Sequence, residues 1–267
     1  MKKIVTIILL VSATIVSAQT KEFKYTLSGI TKVVLNSDTR IVLKPGNASE
    51  LMIADNKSSH SSHNHNRWQK DHVEKEDKRK GLTAIYPGGK DDTNGFGFSI
   101  KKEGNVLYVN DLKSMHQRRG LNITLPKNIN ISVDAGNLGS IDMEGFTGEV
   151  EASTNTGRIK MKNVTGPITV DANVGKVDID FDTVSQKSPI TISSSVSEID
   201  VALPGNTKAD IELKTQGTVY TNFDFDTPKK KGMPNVSGRK SIISKLNNGG
   251  VKIYIKSSLG NIYLRKK

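Results

Sequence analysis

One pattern recurs along the C-terminal half of this chain and restricts its fold more than any other feature. Six segments share it: Gly136 to Met143, Thr154 to Met161, Ala172 to Ile179, Ser194 to Val201, Lys214 to Thr221 and Ser257 to Leu264. Each carries a Gly (Gly139, Gly157, Gly175, Gly217, Gly260) or, once, Ser197, followed by a short alternation of apolar and polar residues. These positions step by 18, 18, 22, 20 and 43 residues. The last gap is about two units long, and the Pro/Lys-rich stretch Asp226 to Arg239 is read as the insertion that fills it. A second apolar pair lies between the segments: Val150/Ala152, Ile168/Val170, Ile190/Ile192, Ile211/Leu213 and Ile253/Ile255. Each unit therefore reads as strand, turn, strand, turn. Neither strand can bury its apolar face alone, so the units must stack.

The columns of such a stack follow from the repeat. Ile141/Met143, Ile159/Met161, Val177/Ile179, Ile199/Val201 and Ile262/Leu264 are expected to face inward as apolar ladders. The Gly positions mark a corner that requires positive φ or close backbone approach. Two residues earlier come Asn137, Asn155, Asn173, Ser195, Thr215 and Ser258, placed to hydrogen-bond from unit to unit. An outward column holds Asp142, Lys160, Asp178, Asp200, Tyr220 and Tyr263, with Lys160 between two aspartates. Next to it run Arg158, Lys176 and Glu198. A one-unit slip would place like charges side by side, so these columns read as register devices. Ser197 in place of Gly, and the shortened spacing from Leu213 to Gly217, mark the units expected to depart most from regular geometry.

Toward the N-terminus the pattern is also extended. Strand-like runs occur at Phe23 to Leu27, Lys32 to Leu35, Arg40 to Lys44 and Leu51 to Ile53, the last two separated by Pro45-Gly46-Asn47. They resume at Phe96 to Ile100, Val106 to Val109, Leu121 to Leu125 and Ile129 to Val133. Between these blocks, Asn56 to Asp92 is rich in Ser, His, Asn, Lys and Glu and reads as an exposed polar insertion. The domain reading is a signal peptide over 1–18, an N-terminal β region over 19–134 with its insertion at 56–92, and the repeat region over 135–267, the last two forming one continuous body.

The first residues have the layout of a secretory signal: Lys2 and Lys3, an apolar run from Ile4 to Val11, then Val16-Ser17-Ala18 at the expected cleavage site. The apolar run falls short of the roughly 20 residues a spanning helix needs, and no later segment reaches that length. Export to the periplasm, the outer surface or the medium is expected. The chain has no cysteine, so no disulfide stabilises it. Lys plus Arg outnumber Asp plus Glu by 39 to 27. An exported basic surface suits an anionic polysaccharide or another surface protein, and nucleic acid is not expected as a partner.

Few residues carry recognisable chemistry. His60, His63, His65 and His72 cluster in the polar insertion, with Asp71 and Glu74 nearby, and are the candidate metal ligands. Their setting is low-complexity and lacks fixed spacing on a regular element, so adventitious binding is the plain alternative. Asp178, Asp180 and Asp182 alternate and place carboxylates on one strand face, a pattern polysaccharide-cleaving β-helices use and solvated strands also show. Trp68 stands in the insertion beside Arg67 and Lys70, as a sugar platform or an anchor. No nucleophile-elbow motif is present, and the Gly-rich spots Gly88-Gly89 and Gly95-Phe96-Gly97 do not open a helix. No catalytic residue, cofactor or cofactor-binding residue is assigned, and the chain is read as a non-enzyme.

The Asn/Ser-x-Gly-x-Ile/Val repeats, the early strand pair from Phe23 to Val34, and the closing Asn248-Gly249-Gly250-Val251-Lys252-Ile253 with Ser257 to Leu264 resemble an adhesin family of bacterial β-solenoid domains of unknown function, related to the auto-transporter adhesin-head-like domain. The likeness spans about Lys21 to Lys267 and is most specific from Ala135 to Leu264. It implies a right-handed, single-stranded parallel β-helix, that is, a β-solenoid, and an envelope location. It brings no catalytic motif. The expectation is an all-β adhesin-like scaffold that binds a polymer or surface partner, with an acidic-polysaccharide-binding or polysaccharide-cleaving β-helix as the alternative. Since the repeat itself serves stacking, specificity is expected where the repeat is interrupted, at Asn56 to Asp92 and Asp226 to Arg239.

Overall fold

The structure, a computed structural model, describes residues 22–47, 49–55, 81–82, 84–113, 119–225 and 241–267. Short runs of alternating β-branched and polar residues, broken by Gly, Asn and Ser, produce strands throughout, and no helix occurs among the described residues. In chain order the strands are β1 (Glu22–Thr26), β2 (Lys32–Asn36), β3 (Ile41–Pro45), β4 (Glu50–Asp55), β5 (Phe98–Glu103), β6 (Val106–Asp111) and β7 (Leu121–Leu125). Then come β8 (Asn130–Asp134), β9 (Ile141–Glu144), β10 (Val150–Thr156), β11 (Ile159–Val164), β12 (Ile168–Val174), β13 (Val177–Phe181) and β14 (Ile190–Ser194). The last six are β15 (Ile199–Leu203), β16 (Ala209–Thr215), β17 (Val219–Thr221), β18 (Ser241–Leu246), β19 (Val251–Ser257) and β20 (Ile262–Lys266).

They form two ten-stranded sheets. The first runs β1-β4-β7-β3-β9-β11-β13-β15-β20-β17 and the second β18-β16-β19-β14-β12-β10-β8-β2-β6-β5. From β6 to β17 successive strands alternate between the sheets, so each strand pairs in parallel with the equivalent strand of another unit. The expected all-β class holds. The expected uniformly parallel helix is met only in part, because both sheets are mixed: β1–β4, β4–β7, β5–β6 and β16–β18 are antiparallel.

Nor do the units follow chain order. The last pair of strands, β19 and β20, is inserted between β14/β15 and β16/β17. An early pair does the same at the other end: β2 lies between β6 and β8, and β3 between β7 and β9. The 43-residue gap in the repeat thus holds the antiparallel strand β18 and the return of the chain into the middle of the stack.

The inward columns explain why any unit can sit on any other. In the second sheet Val133, Ala152, Val170, Ile192, Ile255 and Leu213 lie in register on six neighbouring strands, and all are buried. In the first sheet Leu43, Met143, Met161, Ile179, Val201 and Leu264 do the same. Burying each Val, Leu, Ile or Met of these columns contributes about 1.5–3 kcal/mol, and every unit offers the same columns.

The Gly corner works chiefly by close approach. A Cβ on Gly157 would lie 1.8 Å from the Gly139 carbonyl oxygen, one on Gly175 2.0 Å from that of Gly157, and one on Gly260 2.2 Å from that of Ser197. Of the five corner glycines only Gly175 has a positive φ, +132°, and it lies directly beside Ser197, the one corner that is not Gly. There the Ser197 hydroxyl accepts the Gly175 N–H. The other irregular unit ends in β17, the shortest strand. Along the neighbouring column the Asn155 amide donates to Asn137 (3.3 Å) and that of Asn173 to Asn155 (2.9 Å), so the expected amide ladder runs over three units.

Gly157→Ala is expected to cost about 2–3 kcal/mol, because backbone must yield to the methyl group. Gly88→Ala, where a Cβ meets only the end of the Leu112 side chain at 3.2 Å, is expected to be near neutral. Urea denaturation of the two variants against the parent chain checks the contrast, and equal midpoints would contradict the close-approach account.

Candidate functional site

The outer face of the first sheet carries a row of ion pairs. Its central outward column reads Val42, Asp142, Lys160, Asp178, Asp200, Tyr263 and Tyr220 across seven strands. Lys160 does stand between Asp142 and Asp178. The short ion pairs come from elsewhere, though. Asp142 accepts from Arg40 (2.6 Å) and Arg158 (2.9 Å), Asp178 faces Lys176 (2.7 Å), and Asp200 takes a two-pronged contact from Arg265 (2.7 and 2.9 Å). Asp180 is bonded by Lys267.

Asp142 is the most enclosed of these carboxylates, with 17% of its side chain exposed. Burial pushes its pKa up. The hydrogen bonds and charges of Arg40 and Arg158 together outweigh that, and hold the carboxyl below its ordinary value.

Two features stand out on this face. Across β3, β9 and β11 a shallow groove is lined by Val42, Lys44, Asp142, Glu144, Lys160 and Lys162. The Asp142 charge is already taken by two arginines, so the groove is dominated by cations. At the β17 end the charges give way to rings. Tyr220 and Tyr263 stack with centroids 5.2 Å apart and planes within 11°, and the Arg265 guanidinium lies 5.6 Å from the Tyr263 centroid. Lining the cleft there are Asn222, Leu264 and Lys266 beside the two tyrosines.

The sequence-based candidates fare unevenly. His60, His63, His65 and His72, with Asp71, Glu74 and Trp68, lie outside the described residues, as does the signal-like segment. Among the described residues no group of three His, Cys, Asp or Glu is arranged to hold a metal ion, and none forms a helix long and apolar enough to cross a membrane. Asp178 and Asp180 share the outer face of β13, while Asp182 follows the end of that strand, its N–H bonded to the Val164 carbonyl. Gly95 and Gly97 belong to a tight loop in which Asp91 accepts from the Thr93 N–H (2.8 Å), the Thr93 hydroxyl (2.6 Å) and the Gly95 N–H (2.8 Å), the turn role expected of them.

Sequence reasoning missed Arg40 as the partner of Asp142, Arg265 as that of Asp200, and Lys44 as a wall of the groove. The first two partners come from strands 102 and 65 residues away, and no local spacing announces them. The tyrosine pair was present in the outward column, where two aromatics among charged residues were the available signal.

No protein-family model matches the chain, and no curated protein matches it. Among solved structures, one from Clostridium sporogenes that carries the provisional name of a cell adhesion protein superimposes with a TM-score of 0.48 and 16% identity. The alignment covers 93% of this chain and 100% of that one.

With its pKa lowered on folding, Asp142 contributes stability that is present above the ordinary carboxylate range and lost as pH falls through its folded value. Asp142→Asn is expected to lose about 1 kcal/mol at neutral pH, a size that reflects the exposure of both arginines. The deficit should shrink toward zero below about pH 4. Denaturant titrations of both proteins across that range test this, and a deficit independent of pH would assign the loss to something other than the charge.

Proposed function

We propose that this chain is an exported, non-enzymatic, adhesin-like β-solenoid scaffold that holds an anionic polymer, an acidic polysaccharide first of all, along the outer face of its first sheet. On this reading the alternating units form a right-handed parallel β-helix, closed off by antiparallel strands, of the kind the adhesin-family resemblance implies. The N-terminal segment directs the chain to the envelope or the medium.

The observation that carries the reading is the groove across β3, β9 and β11. Lys44, Lys160 and Lys162 line it, Arg40 and Arg158 flank it, and against these five cations stand only Asp142 and Glu144. Strands ~4.8 Å apart place these cations along β3 and β11 on either side of β9, two basic edges on a flat surface, which suits an extended polysaccharide better than a compact small molecule. The alternative centred on Asp178 and Asp180 is favoured less, because Lys176 and Lys267 already neutralise those carboxylates.

Binding of the exported protein to immobilised uronate and sulfated polysaccharides tests the proposal. Retention is expected to weaken as salt rises and screening shortens to about 8 Å at physiological ionic strength. Lys160→Glu with Lys162→Glu is expected to weaken binding by about tenfold or more, two reversed charges in one groove. Salt-insensitive binding, or none to any anionic polymer, would overturn the reading. Release of new reducing or unsaturated ends during incubation would favour the polysaccharide-cleaving alternative.

A further inference from the structure

Two kinds of cation surround the groove across β3, β9 and β11, and they are not equally free. Lys44, Lys160 and Lys162 line it, and among the described residues none of the three has a hydrogen-bond or ion-pair partner. The two arginines are committed. Arg40 donates Nε and Nη2 to one oxygen of Asp142 (2.9 and 2.6 Å), and Arg158 donates Nη2 to the other (2.9 Å). One carboxylate therefore engages two guanidinium groups.

The three lysines form a corner. Lys160 and Lys162 alternate outward on β11, about 6.6 Å apart along the strand. Lys162 is in register with Glu144, and Lys44 follows Leu43, the partner of Met143, so Lys44 and Lys162 stand on either side of Glu144. Two strand spacings of ~4.8 Å separate them. The triad thus extends in two directions, along β11 and across to β3. Arg158 precedes Lys160 by two residues and points to the same face, where it would lengthen the β11 pair into a straight row of three. Its guanidinium is bound to Asp142 instead.

An ammonium is a compact point charge that places no demand on the plane of its partner, whereas a guanidinium fork matches a planar carboxylate edge to edge. With both forks held by Asp142, the groove responds to the density of negative charge and not to the shape of the anionic group. A polyuronate carries a single carboxylate per sugar, in file, and so meets the β11 pair but not the corner. A chain with several sulfate esters per sugar carries charge to both sides of its axis and reaches all three lysines.

We propose that the groove selects densely sulfated polysaccharide over polyuronate, and that Asp142 sets this preference by holding Arg40 and Arg158 away from the ligand. The inference rests on the anionic-polymer reading of the same groove and narrows it. Neutralising Asp142 frees the forks for carboxylates and lets Arg158 complete the row on β11, so polyuronate gains more than the sulfated chain does. Glu144 supplies the contrast. It also lies in the groove, between two lysines, and among the described residues no arginine is bound to it. Neutralising Glu144 changes the charge of the groove by the same amount and releases no fork.

Affinities for dextran sulfate and polygalacturonate of matched chain length, measured at one ionic strength, test this. The parent chain is expected to bind dextran sulfate at least about tenfold more tightly. Asp142→Asn is expected to tighten polygalacturonate about fivefold or more and so to shrink the preference, while Glu144→Gln tightens both polymers alike. Lys44→Gln, at an exposed site, tests the corner independently of any effect of Asp142→Asn on stability. It is expected to weaken dextran sulfate about threefold or more and to leave polygalacturonate within about twofold. Polygalacturonate bound as tightly as dextran sulfate, equal shifts of preference in Asp142→Asn and Glu144→Gln, or equal losses for the two polymers in Lys44→Gln would refute the proposal while the anionic-polymer reading stands. Binding to neither polymer refutes both.

Discussion

The corner where one unit's glycine meets the next unit's carbonyl governs the rest of this structure. With 1.8 and 2.0 Å between a hypothetical Cβ and that oxygen at Gly157 and Gly175, and 2.2 Å at Gly260 beyond the Ser197 corner, only hydrogen fits on the facing side of these glycines. Sliding a unit by one residue would bring a side chain into the contact and would also turn every inward Ile, Val or Met to solvent. Close approach and burial therefore select the same register. The Asn137, Asn155 and Asn173 amides then bond from unit to unit beside the corner, as they can only when the corner is aligned.

A register so strictly local leaves the order of the units open. The apolar columns are alike from strand to strand, and in them β19/β20 fit between β14/β15 and β16/β17 as well as a following unit would. What marks the observed order lies outside the columns. Arg40 on the approach to β3 reaches Asp142 on β9, Lys32 on β2 reaches Glu151 on β10, and Arg265 on β20 reaches Asp200 on β15. Each of these pairs is at least partly exposed and contributes modestly, yet each would be lost in a stack that followed chain order. The arrangement has a kinetic consequence as well. β16/β17 can take their final place only once the last strands have arrived, so the C-terminal part of the stack closes late and depends on distant contacts.

This separates what the sequence discloses from what it hides. The 18-residue spacing made the corner glycines, the inward ladders and the order of residues in the outward column readable, because all three are set by period-two alternation within one unit. The ion pairs on that column, the groove wall at Lys44 and the insertion of β2/β3 into the stack were not readable. They depend on which units become neighbours, and the apolar pattern is degenerate with respect to that choice. The antiparallel strands were hidden for a related reason: Ser241 to Leu246 and Glu22 to Thr26 alternate like any other strand, and direction leaves no trace in such short runs.

The outward column of the first sheet shows how a repetitive fold acquires different surfaces without altering its frame. Through β9, β11, β13 and β15 the column is charged, and each aspartate is held by a basic residue from its own or a neighbouring strand. Such pairing is self-limiting, since a charge satisfied by its neighbour makes little further demand. At the groove the balance tips toward cations, and that excess is available to something outside the chain. At β20 and β17 the same column changes to tyrosine, and stacking differs from ion pairing in that a ring satisfied on one face still offers the other. The column thus runs from uncompensated charge at one end, through neutralised pairs, to an open aromatic face at the other. A flat sheet of fixed register positions these differences, so the two ends of the column, and not its regular middle, carry the charge and the ring that their own neighbours leave unsatisfied.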